Sequence, residues 1–457
     1  MSASSQLSAP QRRIWRTYLG ITIVFGIVNG VYASYAFLYI KQRLERAGGV
    51  SGSILDDLLF IIVASMIFEF FAEPITGDWA DTYGRRRVIV GAFIGLCLAF
   101  VAYWIISADA IAGLPQRTQL RAVVILALIA ELCFATASAL FNGALDAWFV
   151  DELRLAQGPG GGALLPFFSA QKRWFGVFMV AGGAASLWLA RAVLHGGAPT
   201  GAGGLTSVAA LPWLGAIALT AATALWVKLR LTEHRAPVHD HEPAYRRIRL
   251  RLKRTLASRD LRHALLISSV LYTCWICFMY LLPVLLTEPT LTSAAGPFEA
   301  VLTDYYWFYL AMGSSRFLGP YLSGRIRLGG DPIVRFRWWG VLNAGALALA
   351  GIALLLDTAA VPAALVLFWL AKVAEEAFKP VRSTYLNYLV VDGADRAFVL
   401  SMATPFGAVI ILIGVGLLAI AQRFVRALDE VPLSVPLLFA ILGAAGALCT
   451  VGLSRRR

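Results

Sequence analysis

Gly77-Asp78-Trp79-Ala80-Asp81-Thr82-Tyr83-Gly84-Arg85-Arg86-Arg87 separates two long apolar runs, 54–77 and 88–108. Gly77 and Gly84 permit a tight reversal and a close backbone approach. Asp81 is an anion that suits a helix N-terminus, where the dipole is positive. Arg85 carries a planar guanidinium that can fork onto a carboxylate. Each flanking run is long enough for a helix to cross about 30 Å of hydrocarbon, which takes roughly 20 apolar residues.

Outward from this loop the same pattern repeats. The chain of 457 residues is 59% hydrophobic and only 15% charged, against about 25% charged in soluble domains. Twelve spans are predicted, at 17–40, 54–77, 88–108, 121–149, 169–193, 208–231, 263–287, 304–325, 335–356, 362–390, 398–421 and 434–453. A β-barrel would need alternating ten-residue segments, and Gly407 to Ala421 does not alternate. The expectation is an all-α membrane protein with two pseudo-symmetric six-helix halves, 1–231 and 263–457. A basic linker, 232–262, joins them, with nine Lys or Arg and an amphipathic helix expected over Tyr245–Ser258, lying on anionic headgroups. A shift of 241 residues lays Leu145 on Leu386 and Glu131 on Lys372, and a shift of 247 lays Gly77 on Gly324 and Glu69 on Arg316, which fits an internal duplication.

The net charge is +13. With so many spans, the bases read as orientation signals rather than a nucleic-acid surface. They concentrate around Arg12–Arg16, Arg85–Arg87, the linker and Arg455–Arg457, and few fall on the opposite side. Both termini are therefore expected in the cytoplasm, in an inner membrane. The N-terminus shows no cleavage pattern. Five cysteines, Cys97, Cys133, Cys274, Cys277 and Cys449, all lie in apolar runs and read as buried thiols rather than metal or redox groups.

The loop resembles the signature of the major facilitator superfamily: Gly, three residues, Asp, two residues, Gly, then bases. The lead-in Glu73-Pro74-Ile75-Thr76 resembles that of its drug-efflux-like members, and Phe141-Asn142-Gly143-Ala144-Leu145-Asp146-Ala147-Trp148 resembles their end of span four. The resemblance implies that Asp81 faces the start of span eleven, near Arg396 to Ser401. It implies that Arg85 pairs with Asp146 or Asp151, that Arg86 belongs to the same gating loop, and that these contacts lock an outward-open state. The chain departs from the pattern at Thr82, where a base is common, at Ala139, and in span five. There Gly176, Gly182 and Gly183 stand without the Gly-Pro pair of the antiporters.

Ionisable residues at bilayer depth cost roughly 2.5–3.5 kcal/mol each on insertion scales and usually face a cavity or a partner. On span ten, Lys372, Glu375, Glu376 and Lys379 share one helical stripe, and Lys372 with Glu376 and Glu375 with Lys379 are i, i+4 pairs. The stripe is either a self-neutralising ladder or, as the resemblance implies for spans one, four, seven and ten, part of a central cavity. Glu131 on span four has no base at i±3 or i±4 and is the first candidate for a proton carrier. Glu69 and Arg316 are expected as a pair between the halves. Asn29, Tyr32, Tyr272 and Trp275 are candidate cavity contacts.

No G-x-x-x-x-G-K-[ST] phosphate cradle occurs, so ATP is not expected as a cofactor. His239 and His241 read as a solvated turn rather than a metal site. No His lies deep in a span, which argues against a membrane-embedded enzyme. The expected activity is secondary transport of a small molecule by a monomer among membrane lipids, coupled to protons, with export of a hydrophobic or amphipathic compound foremost. Import or facilitated passage by the same fold is the alternative.

Overall fold

The computed structural model describes residues 8–47, 51–106, 111, 113–157, 164–195, 210–234, 243–269, 298–326, 332–356, 361–390 and 396–402. Their labelled helices are α1 Ala9–Arg46, α2 Ser51–Tyr83, α3 Arg85–Ile106, α4 Gln116–Phe141, α5 Ala144–Gln157, α6 Leu165–His195, α7 Leu211–Arg230, α8 Ala244–Ala257, α9 Phe298–Arg325, α10 Pro332–Leu356, α11 Val361–Leu389 and α12 Arg396–Ser401. Residues 259–269 are also helical. No strand occurs among the described residues. This follows from the apolar composition: away from water every backbone N–H and C=O must be paired within the segment, and a helix does so. Large apolar side chains such as Phe71, Trp188 and Leu229 are 62%, 65% and 70% exposed, the outer surface of a multi-pass membrane protein.

Span four is not one helix. α4 stops at Phe141, Asn142 turns extended at φ −61° and ψ 127°, and Gly143 takes φ +79°. α5 then restarts at Ala144. The expected span 121–149 lies within one apolar stretch, Gln116–Gln157, but its helix is interrupted at Asn142 and Gly143. The left-handed Gly143 is the reason, because a side chain there strains the backbone and its Cβ would lie 2.8 Å from the Ala397 carbonyl oxygen. The linker helix was expected over Tyr245–Ser258 and runs over Ala244–Ala257. Span twelve, most of spans seven and eleven, and with them Tyr272, Trp275, Cys274, Cys277 and Cys449, lie outside the described residues, as do His239 and His241.

In the first half α1 packs along α6, and α3 along α4 and α7. Trp213 of α7 is fully buried among Tyr35, Tyr39, Phe100 and Tyr103, with Tyr103 stacked at 4.6 Å between ring centroids. In the second half α11 lies against α9 and α10. The halves meet where α6 packs on α9 and α11, and where α12 packs on α2 and α5. The span-five glycines serve close packing: a Cβ on Gly176 would stand 2.6 Å from the Arg316 carbonyl oxygen, and one on Gly182 would stand 2.4 Å from that of Ile27.

Candidate functional site: a charge network across the halves and an isolated acid

The Gly77–Arg87 stretch, expected as a loop, is helical except at Gly84, because α2 continues to Tyr83 and α3 starts at Arg85; this junction, the loop end of the molecule, packs against α12. Gly84 takes φ +98°, the left-handed turn that lets α2 end and α3 begin without a spacer. Gly77 approaches α12 so closely that a Cβ would lie 2.9 Å from the Phe398 Cα. Asp81 is buried. It accepts the Phe398 backbone N–H at 3.2 Å and an Arg85 guanidinium N–H at 3.3 Å. The Phe398 amide belongs to the first turn of α12, where N–H groups lack helical partners. This is the contact expected for Asp81 near Arg396 to Ser401.

Arg85 resolves the choice left open between two acids. Its Nη1 donates to the Ala147 carbonyl at 2.7 Å and to the Asp151 carboxylate. Arg396 donates to the other oxygen of the same carboxylate. Asp151 on α5 thus bridges a guanidinium of its own half and one from α12. Asp146 faces elsewhere and accepts the Tyr18 hydroxyl at 2.6 Å. Ser401 donates to the Asn142 carbonyl at 3.1 Å, a carbonyl released by the break in span four. Glu73 and Thr76 of the lead-in join α2 to the same break: Asn142 donates to Glu73 at 3.0 Å, and Thr76 to the Ala139 carbonyl at 2.9 Å.

The charges here are buried, and burial sets their protonation. It pushes the Asp81 carboxyl up to about 6, although the Arg85 and Arg251 cations and the Phe398 amide pull it down. Burial lowers Arg85, opposed by Asp81. Arg396 falls to about 10, by burial first and then by the like charge of Arg85. A cation or anion in such a place is stable only while its partner is present.

Three further residues complete the network without having been singled out in the sequence. Asp78 is buried and receives a two-pronged Arg247 guanidinium at 2.8 and 3.3 Å, with Arg251 at 3.1 Å, so α8 is clasped to the loop. The hydrogen bond that Arg247 donates to Asp78 holds it above its ordinary value. Glu233 accepts the backbone N–H groups of Arg85 at 2.8 Å and Arg86 at 3.1 Å, capping the start of α3. Arg86 reaches the Leu231 carbonyl at 3.5 Å. Glu152 accepts from the His234 backbone at 2.9 Å and contacts its ring at 2.7 Å.

At membrane depth the charges behave differently. Lys372, Glu375 and Glu376 are buried on α11. Lys372 contacts Glu375 and lies 2.8 Å from Glu376, while Lys379 lies 2.9 Å from both acids. The expected i, i+4 pairs form, and i, i+3 contacts close them into a four-membered cluster on a single helix. The Glu69–Arg316 pair is not formed. Arg316 points its guanidinium at the Met179 sulfur. Asn29 donates to the Phe25 carbonyl of its own helix at 2.9 Å.

Glu131 is buried on α4. It accepts the Tyr32 hydroxyl at 2.6 Å and the Tyr103 hydroxyl. Tyr32 is held by stacking on Phe134 at 3.6 Å and Tyr103 by stacking on Trp213. Among the described residues no Lys, Arg or His pairs with Glu131. No metal-binding group of three or more His, Cys, Asp or Glu occurs among them either.

No protein-family model and no curated protein matches the chain in sequence. Solved structures match it closely in shape. A bacterial homologue of the iron transporter ferroportin, in an outward-facing state, aligns with a TM-score of 0.65 at 16% identity, over 96% of this chain and 100% of that one. The human organic anion transporter MFSD10 aligns at 0.64 and 14% identity, over 96% and 99%. The major facilitator superfamily proton:xylose symporter XylE aligns at 0.66 and 12% identity, over 97% and 96%.

Proposed function

We propose that this chain, a multi-pass membrane protein with the major facilitator fold, is a secondary transporter that moves a small molecule by alternating access. The observation that carries the reading is the Asp151 carboxylate, shared between Arg85 of one half and Arg396 of the other. A link of this kind holds one end of a two-bundle protein shut while the other end opens. On this reading Asp81, Arg85, Arg86 and Asp151 act as a gate, the loop end is cytoplasmic, and both termini lie on that side. The positive-inside distribution of bases supports the orientation. The halves are 1–231 and 263–457, with 232–262 as linker, and the transporter works as a monomer in the inner membrane.

The coupling ion is the proton, and Glu131 carries it. A buried carboxylate whose partners are two hydroxyls, with no compensating cation, gains more from a proton than acids already answered by lysines. Glu375 and Glu376 are each answered by Lys372 and Lys379. Export of a hydrophobic or amphipathic compound draws support from the lead-in Glu73 to Thr76. Proton-coupled import is the second reading, favoured by the likeness in shape to XylE, whose name is that of a proton:xylose symporter.

Reconstituted vesicles test both. With ethidium as an amphipathic probe and xylose as a polar one, an imposed ΔpH drives accumulation by the wild type. Glu131→Gln keeps exchange down a substrate gradient and loses the ΔpH-driven part. Full ΔpH-driven accumulation by Glu131→Gln removes Glu131 from coupling. The probe that accumulates, and the sign of the gradient that drives it, separate export from import.

A further inference from the structure

A second polar site lies where the end of the linker meets the second half, at the loop end, apart from both the gate and the α11 cluster. It is a cavity of ≈ 270 Å³ between the helix over residues 259–269, the start of α10 and the end of α11. That size is near the lower end of small-molecule sites, roughly 300–1,000 Å³. Its polar wall is Arg259, Asp260, His263 and Arg337, and its apolar floor is Ile267 and Phe336. Ile267 and Phe336 are buried, at 4% and 1% exposure. Phe336 lies 5.1 Å from the ring of Tyr385, which closes the α11 side.

Two features make this a place for an anion. Two guanidiniums outweigh one carboxylate, and an arginine fork matches the geometry of phosphate oxygens. Two helices also begin at the cavity. Ser258 opens the 259–269 helix, its hydroxyl accepting the Leu261 N–H at 3.4 Å, and α10 begins at Pro332, one residue before the lining Ile333. The first-turn N–H groups of both helices add partial positive charge to the mouth. The apolar floor beside a basic rim suits a ligand whose charged group carries a hydrocarbon or glyceryl stem. Basic pockets between helices on the cytoplasmic side recur as headgroup sites.

We infer that the cavity lined by Arg259, His263 and Arg337 binds a phosphate ester. The ester is either the headgroup of an anionic inner-leaflet lipid or a soluble phosphate of similar size. The placement of this end at the inner leaflet rests on the orientation given above. The phosphate chemistry does not, and it is measured in detergent without reference to sidedness.

The test uses full-length protein purified in a non-ionic detergent. Native mass spectrometry follows retention of phosphatidylglycerol and phosphatidylcholine, and calorimetry follows glycerol 1-phosphate. The variants are Arg259→Gln with Arg337→Gln, and, as an equal loss of charge elsewhere, Arg230→Gln with Arg325→Gln. The expected result is at least tenfold weaker phosphatidylglycerol retention in the first pair, none of that loss in the second, and no change for phosphatidylcholine. Binding of glycerol 1-phosphate alone, lost in the first pair, keeps the site and assigns it to a soluble ester. Arg259 is exposed, so Arg259→Glu is expected to fold, and it must weaken binding by itself. Equal binding by wild type, Arg259→Glu and the double variants overturns the inference, whatever the outcome of the transport assay.

Discussion

At the loop end, Asp151 of α5 answers two guanidiniums from separate elements, Arg85 of α3 and Arg396 of α12. On α11, Lys372, Glu375, Glu376 and Lys379 answer one another within two helical turns. Both regions are largely buried, and in both every acid is paired with a base. In the first, the partners come from different halves, so the balance holds only while the halves touch. In the second, these ion pairs lie on one helix and travel with it when the halves move. Which charges can report a conformational change is thus set by whose partner is whose, rather than by how deeply each is buried.

The largest effect is expected where the closed cluster is broken. Lys372→Met leaves two buried carboxylates with a single lysine, and an uncompensated buried charge costs about 3–5 kcal/mol. Thermal unfolding in detergent should show a large drop, and adding Glu375→Gln to Lys372→Met should recover most of it. Recovery sharpens the contrast with the loop end. If Lys372→Met alone unfolds like the wild type, the cluster is not the closed unit the distances describe.

A smaller effect follows from Asp81. Its carboxyl is raised by burial to about 6 from an ordinary 3.8. The locked form therefore binds more protons than a form with Asp81 in water. The sign follows directly: the lock is favoured at low pH and weakens as pH rises from about 4 through 6. Between pH 5 and pH 7 the locked-to-open ratio should fall roughly tenfold. Reactivity of a single cysteine at Ala397, fully buried on α12 against Gly143, toward a maleimide, compared at those two pH values after correction for thiolate fraction, reads the ratio. Asp81→Asn should flatten it. A pH response that survives Asp81→Asn belongs to another group.

The smallest effect is local. Gly84→Ala places a side chain at φ +98° and 3.0 Å from a Glu233 carboxylate oxygen. Left-handed backbone costs about 1–2 kcal/mol for an L-residue. A loss of that size in thermal stability, restored in part by Glu233→Ala, assigns the strain to this turn. No loss would mean that the loop relaxes without consequence.

How much of this could be read in the sequence depends on how far apart the partners lie. The α11 cluster was legible because its partners are three and four residues apart, a spacing any helix brings together. Asp81 and its region of α12 were legible through the resemblance, as was the choice of Arg85. The choice between Asp146 and Asp151 was not, because both sit on one short helix and the break at Gly143 decides its rotation. Asp78 and Glu233 went unread for the same reason: Arg247 is 169 residues from Asp78, and no periodicity within either segment sets that register. Glu131 drew notice for lacking a nearby base, yet Tyr32 and Tyr103, its hydroxyl donors, come from other helices. The pairing of Glu69 with Arg316 was inferred from pseudo-symmetry, and equivalence between halves is not contact.

The central claim is that charges shared across the halves hold the loop end shut. A distance measured by electron paramagnetic resonance tests it most directly, with spin labels at Leu155 and Tyr388, which are 64% and 70% exposed at the loop-end termini of α5 and α11. Wild type should give one short, narrow distribution. Asp151→Asn leaves Arg85 and Arg396 facing each other without their anion, and should move a substantial part of the population to a longer distance. Lys372→Met with Glu375→Gln should leave the distribution where it was. A distribution unchanged by Asp151→Asn in folded protein would contradict the account.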